Sequence, residues 1–237
     1  FMLAANESVA EYLRETQTPF LYREHPEPDG EKLKNLLQVV EKTDLGGKLP
    51  AEIGPKFVRE LLNTAAGTSL EYLVNKLVLR SMMQAGYTPE ERGHFGLASE
   101  CYCHFTSPIR RYADMVVHRA LKAALGLVPL TKSGLRNLGK RATALNGTER
   151  RAMEAEREIV RRVTVHFLEG KIGTEYEGIV SSLADFGFWV ELTEVMADGL
   201  VRLSTRTDDD YNFQKDRQDI LGTRTGRSFR MGQKLRV

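Results

Sequence analysis

Phe167-Leu168-Glu169-Gly170-Lys171-Ile172-Gly173-Thr174-Glu175-Tyr176 is where the hydrophobic period of this chain changes. Ahead of it, Thr148 to Glu169 is laced with charge. Arg150 and Glu154, like Glu158 and Arg162, stand four residues apart, which supports an exposed helix. Beyond it apolar and polar residues alternate, and Tyr176 to Ser182, Phe186 to Leu192 and Leu200 to Leu203 read as strands. Turn residues at Asp185 and Asp198-Gly199 part them. Gly170 and Gly173 end the helix and serve as a hinge. Upstream the pattern is helical almost throughout: Ala4 to Arg14, a stripe of Leu33, Leu36, Leu37 and Val40, Pro55 to Ala66, and a helix to Gln84 headed by a Thr68/Glu71 capping box. Gly93 to Phe105 is extended or irregular. Helices follow from Ser107 to near Gly126, from Thr131 to Ala144 and from Thr148 to Glu169, the last two parted by Asn146-Gly147. The fold class is therefore α+β, mostly helical over residues 1–170, with a small β-domain over residues 174–237.

Composition removes several classes. With 237 residues, 41% apolar and 28% charged, the chain is neither collagenous, wholly disordered nor a disulfide-stapled miniprotein. No apolar run approaches the length of a membrane span, and the start is apolar but lacks a basic lead-in and soon turns charged, unlike a signal peptide. Two cysteines one residue apart suit a reducing cytoplasm. The first residue is Phe1, so the chain is expected to be a portion of a longer protein. Basic and acidic residues nearly cancel, 34 against 32, and the balance alone indicates no partner. Their distribution says more. Met115 to Thr148 holds Arg119, Lys122, Lys132, Arg136, Lys140 and Arg141 with no Asp or Glu, either a solvated face or a surface for a polyanion.

Thr106-Ser107-Pro108-Ile109-Arg110-Arg111-Tyr112-Ala113-Asp114 is the strongest chemical feature. Ser107 suits a helix N-cap and Pro108 the first helical position. Unpaired backbone N–H groups and a partial positive charge then favour an anion, and two arginines lie in the same turn. Guanidinium donors match phosphate oxygens, so a phosphodiester clamp is one reading and a capped helix with two surface arginines is the other. Cys101, Cys103 and His104 lack zinc-knuckle spacing and a fourth ligand, so the cysteines are expected to be buried small side chains. His118, one turn past Asp114, caps or orients rather than acting as a base.

The run His94-Phe95-Gly96-Leu97-Ala98-Ser99-Glu100-Cys101-Tyr102-Cys103-His104-Phe105, continued by Thr106 to His118, closely resembles the signature of the ribonuclease II / ribonuclease R family, nearest its bacterial ribonuclease R branch. Phe1 to Glu7 is similar to a stretch partway through that family's catalytic domain. Gly178, Phe186-Gly187-Phe188, Val190 and Gly199-Leu200-Val201 resemble its C-terminal S1 domain, an RNA-binding OB-fold barrel. The resemblance implies a processive 3′-to-5′ exoribonuclease that hydrolyses single-stranded RNA to nucleoside 5′-monophosphates and works as a cytoplasmic monomer. It implies Mg²⁺ held by an aspartate cluster outside this chain. Asp208, Asp209 and Asp210 are not that cluster and are expected to decorate a surface loop.

By the same resemblance Arg110 contacts the phosphate near the scissile bond; Arg111 and Ser107 are further RNA-binding candidates, and Arg111 is alternatively structural. Glu156 matches a position near the 3′-terminal nucleotides, or is one more surface carboxylate. Tyr176, Phe186 and Phe188 are candidate stacking platforms, with Arg202 adding phosphate contact. Alternation sets Trp189 opposite Phe188, and the resemblance favours Phe186 and Phe188 outward, so that Phe188→Ala would weaken RNA binding more than stability. The alternative function is a non-catalytic RNA-binding fragment that uses the arginine-rich helix start and the OB surface. A bland helical scaffold is a third reading.

Overall fold

The computed structural model describes residues 1–41, 54–68, 70–129, 137–195, 197–214 and 219–237. The chain divides into two compact units. One comprises Phe1–Lys32, Ala51–Val58 and Ser81–Glu154, the other Leu33–Pro50, Arg59–Arg80 and Ala155–Val237. The helices are α1 (Met2–Glu15), α2 (Gly30–Glu41), α3 (Pro55–Ala65), α4 (Glu71–Ser81), α5 (Tyr112–Ala124) and α6 (Leu138–Glu169). The strands are β1 (Tyr22–Glu24), β2 (Gly86–Thr88), β3 (Glu177–Ala184), β4 (Gly187–Leu192), β5 (Asp198–Arg202), β6 (Tyr211–Gln214), β7 (Asp219–Gly222), β8 (Ser228–Arg230) and β9 (Lys234–Arg236). The architecture is α+β, as the change of period predicts.

In the first unit, α1 buries Asn6, Ala10 and Leu13, and α5 buries Ala113, Val116, Val117 and Ala120, each one helical face. Between them lie Phe20, Cys101 and Cys103, and the cysteines are core residues as expected. Burial pushes the Cys101 thiol up to about 11 and Cys103 further still, so both stay protonated and inert. β1 and β2 pair antiparallel with Arg23 opposite Tyr87. The other edge of β2 is closed by a side chain. The Tyr87 N–H donates to Asn146 Oδ1 at 2.7 Å, and Asn146 Nδ2 donates to the Tyr87 carbonyl at 3.0 Å. Asn146-Gly147 therefore does not break a helix; α6 runs through it, because the amide makes its bonds to a strand rather than to its own backbone. The helix expected from Thr131 partly falls outside the described residues, which resume at 137.

In the second unit, β5-β4-β3-β9 form one antiparallel sheet and β6-β7-β8 another. Both cover one core of Val180, Phe188, Val190, Ile220 and Phe229. Among the described residues the strands close no barrel. Gly187 and Gly178 are glycines of close approach: a Cβ would strike the Val201 carbonyl at the first and the Val190 side chain at the second. From α4, Tyr72 and Lys76 donate to Glu191 on β4 at 2.8 and 2.7 Å, and hold its carboxyl below the ordinary range. Among the described residues no helix is long and apolar enough to cross a membrane.

Candidate nucleic-acid interface

The arginine segment does not start a helix at Ser107. The N–H groups of Arg110 and Arg111 both return to the Ser107 carbonyl, at 3.3 and 3.1 Å, and close a turn. Arg111 is then extended, with φ −124° and ψ 115°, and α5 begins only at Tyr112 without a side-chain cap. The reason is Asp114, in the first turn of α5 and 0% exposed. Its Oδ2 accepts the Ser107 N–H at 2.6 Å and Arg111 Nη2 at 2.8 Å, which draws the preceding five residues into the turn. Ser107 thus contributes backbone, not a capping hydroxyl, and Arg111 is tied inward. Ile109 and Arg110 project from the turn, and the Arg110 guanidinium has no protein partner among the described residues. An exposed planar cation on a hydrogen-bonded turn can take a phosphate oxygen.

Aromatic and histidine side chains support this turn from behind. Asn6 Nδ2 donates to the Tyr102 hydroxyl at 2.9 Å, and Asn6 Oδ1 accepts the Phe105 N–H at 3.0 Å. His118 stacks on Phe105, with ring centroids 4.1 Å apart, and bonds its carbonyl through Nε2 at 3.0 Å; it is an orienting residue. The Tyr87 hydroxyl lies 3.0 Å from His104 Nδ1, and burial holds His104 and His94 down to about 4, so both rings are neutral near pH 7. Arg23 lies over the Tyr87 ring at 4.7 Å and forks onto both Glu149 oxygens at 2.7 and 2.9 Å. Of the basic stretch, Arg119, Lys122 and Lys140 are exposed, whereas Lys132 and Arg136 lie outside the described residues.

The remaining expected site residues belong to the second unit. Phe186 is 55% exposed in the turn between β3 and β4, edge-on to Trp189. With Arg202, Asp185, Leu200, Leu203, Ser204 and Tyr211 it lines an open cavity of about 520 Å³. Phe188 contradicts its expected outward placement: it is 1% exposed and stacks on Phe229 with centroids 4.5 Å apart. Alternation holds only within a strand. Phe188 and Val190 share the inward face of β4, whereas Phe186 precedes Gly187 and lies in the turn. Tyr176 is half-buried, its backbone exchanging bonds with Val237 at 2.8 and 3.0 Å. Glu156 is exposed on α6 and makes no ion pair among the described residues, unlike Glu158, which meets Arg162 at 2.7 Å.

Sequence reasoning missed Tyr211, which brings a second ring to the cavity, and the grip of Asp114 on its turn; no period or motif marks either. Asp208 and Asp209 also do more than decorate. Asp209 accepts the N–H groups of Arg224 and Thr225 at 3.0 and 2.8 Å, and Asp208 pairs with Arg206 and the Tyr211 hydroxyl at 2.7 and 2.9 Å. Among the described residues no group of three or more His, Cys, Asp or Glu side chains is placed to hold a metal ion.

The arginine segment therefore offers one arginine on a turn, where the sequence predicts a capped helix start bearing two; the comparisons with known proteins bear on the family. The RNB domain model matches residues 1–126, more than half of the sequence, and the chain belongs to that family. Ribonuclease R of Aquifex aeolicus (strain VF5) is 43% identical over the whole chain, which spans 34% of that relative. Ribonuclease R of Escherichia coli (strain K12) is 35% identical, with the chain spanning 30% of it. The chain thus spans about a third of the length of these relatives. Mycoplasma genitalium RNase R, solved in complex with ribose methylated single-stranded RNA, superimposes with a TM-score of 0.84 at 30% identity, over 99% of this chain and 38% of that one. Yeast Ssd1, a pseudonuclease, shares the fold at 21% identity and a TM-score of 0.73.

Proposed function

We propose that this chain is the RNA-gripping portion of a processive 3′-to-5′ exoribonuclease that hydrolyses single-stranded RNA to nucleoside 5′-monophosphates in the cytoplasm, as a monomer. The observation that carries the reading is the exposed Arg110 on its pinned turn, in a chain of the RNB family whose structural neighbour was solved with single-stranded RNA. Arg110 binds a non-bridging phosphate oxygen near the scissile bond and opposes the charge that develops there. Arg111 and Ser107 serve RNA indirectly, by shaping the turn. Glu156 orients the 3′-terminal nucleotides. Residues 174–237 act as an S1-type OB domain, where Phe186 stacks a base, Arg202 meets its phosphate and Tyr176 borders the strand. Mg²⁺, which would activate the attacking water, is assigned to aspartates outside this chain. The alternative is an RNA-binding module without hydrolysis, which would use the arginine-bearing turn and the OB surface.

The test is a gel assay on 5′-labelled single-stranded RNA with Mg²⁺. It compares the chain alone with the chain extended at its N-terminus to the length of its relatives. A ladder ending in a short 5′ product only in the extended protein, and its loss in Arg110→Ala, is the expected result. Degradation by the chain alone would overturn the division of labour. RNA retained but never cut by the extended protein would leave the binding module standing.

A further inference from the structure

The first turn of α5 holds a buried ion pair that is poorly satisfied. Asp114 is 0% exposed and Arg111 is largely covered. One carboxylate oxygen, Oδ2, takes both contacts, from the Ser107 N–H and from Arg111 Nη2. The other oxygen, Oδ1, and the Nε of Arg111 are buried with no hydrogen-bond partner among the described residues. Removing two charges from water costs several kcal/mol each in general, and a half-used carboxylate recovers only part of that cost. Replacing a buried ion pair by well-packed apolar residues is often neutral or stabilising in general. The pair is better understood by the geometry it imposes than by the stability it adds.

That geometry is specific. Oδ2 reaches back seven residues to Ser107 and three to Arg111, and so fastens both ends of the turn to one atom. The Ser107 carbonyl closes the same turn from inside, through the N–H groups of Arg110 and Arg111. Between these anchors stand Ile109, wholly exposed, and Arg110. The two adjacent arginines therefore divide their work: Arg111 is consumed internally, while Arg110 is presented on a turn that three backbone N–H bonds close. A preorganised ligand gives up less entropy on binding.

We propose that Asp114 is the positioning residue for Arg110. It acts on RNA only through the turn it fastens and never touches the phosphate. The inference rests on the reading of Arg110 as a phosphate contact. The experiment is a double-mutant cycle on this chain, with Kd for a short labelled single-stranded RNA in EDTA, measured across salt concentration. Arg110→Ala should weaken binding about tenfold. It should also lower the salt slope by about 0.7, one phosphate contact on a single strand. Asp114→Asn should weaken binding about threefold to tenfold by the same loss of slope, and the double variant should bind no worse than Arg110→Ala. Additive losses, or an Asp114→Asn chain that keeps full affinity, overturn the proposal while leaving Arg110 as a contact. An Arg110→Ala chain with unchanged affinity removes both. If Asp114→Asn does not fold, Arg111→Lys takes its place in the cycle. It keeps the charge and gives up the planar donor. A loss that disappears in the Arg110→Ala background supports the proposal; an independent loss, or none, overturns it.

Discussion

Phe186 and Phe188 stand two residues apart and have opposite fates, and the difference is measurable. Phe188 lies in the core of the β-unit against Phe229, so Phe188→Ala should cost about 3–5 kcal/mol in chemical denaturation. Phe186 is 55% exposed beside a cavity, so Phe186→Ala should leave stability nearly unchanged and cost about 1–3 kcal/mol in RNA binding. Equal stability losses in the two variants would contradict this assignment. Arg110 and Arg111 form a second such pair, where identical neighbours are told apart only by the buried carboxylate that captures one of them.

At the scale of elements, α6 is the instructive case. Asn and Gly in succession favour a turn, and the cost of Gly inside a helix is about 1 kcal/mol. The helix nonetheless continues, since Asn146 supplies β2 with the donor and acceptor of a missing strand neighbour. Asn146→Ala should therefore lose about 1–3 kcal/mol, because it leaves the Tyr87 N–H and carbonyl unpaired. Gly147 has open space around a would-be Cβ, so Gly147→Ala should gain about 0.5–1 kcal/mol in the same denaturation series. A destabilised Gly147→Ala would mean that the helix is interrupted there.

For the molecule as a whole, His94 and His104 link folding to pH. Burial lowers both from 6.5 to about 4. His25 and Arg23 add to this for His94, and Arg111 and Arg23 for His104, against weaker opposition from Asp114 and Glu149. Between those values the unfolded chain carries more protons than the folded one, so stability rises with pH. It should be complete above about pH 6.5 and decline as the solution is taken toward pH 4. Melting temperatures at pH 7 and pH 5 check this, and His104→Gln, which still offers Tyr87 an acceptor, should flatten the curve. A melting temperature that does not fall between those two values would contradict it.

The sequence by itself determined what local spacing encodes. The change from helical to alternating period near Gly170, the faces of α1 and α5, the burial of Cys101 and Cys103 and the family signature are each written in residues close together along the chain. Tertiary structure alone decided which groups meet across distance: Asn146 with Tyr87, 59 residues away, and Asn6 with Tyr102, 96 residues away. It also decided cases a few residues apart, where Asp114 outcompeted helix propagation from Ser107 and the turn before Gly187 separated Phe186 from the face of Phe188. The physical reason is common to the three polar cases. A period fixes which side of an element is apolar, but a polar group chooses among competing hydrogen-bond partners only after folding has excluded water and brought those partners within reach.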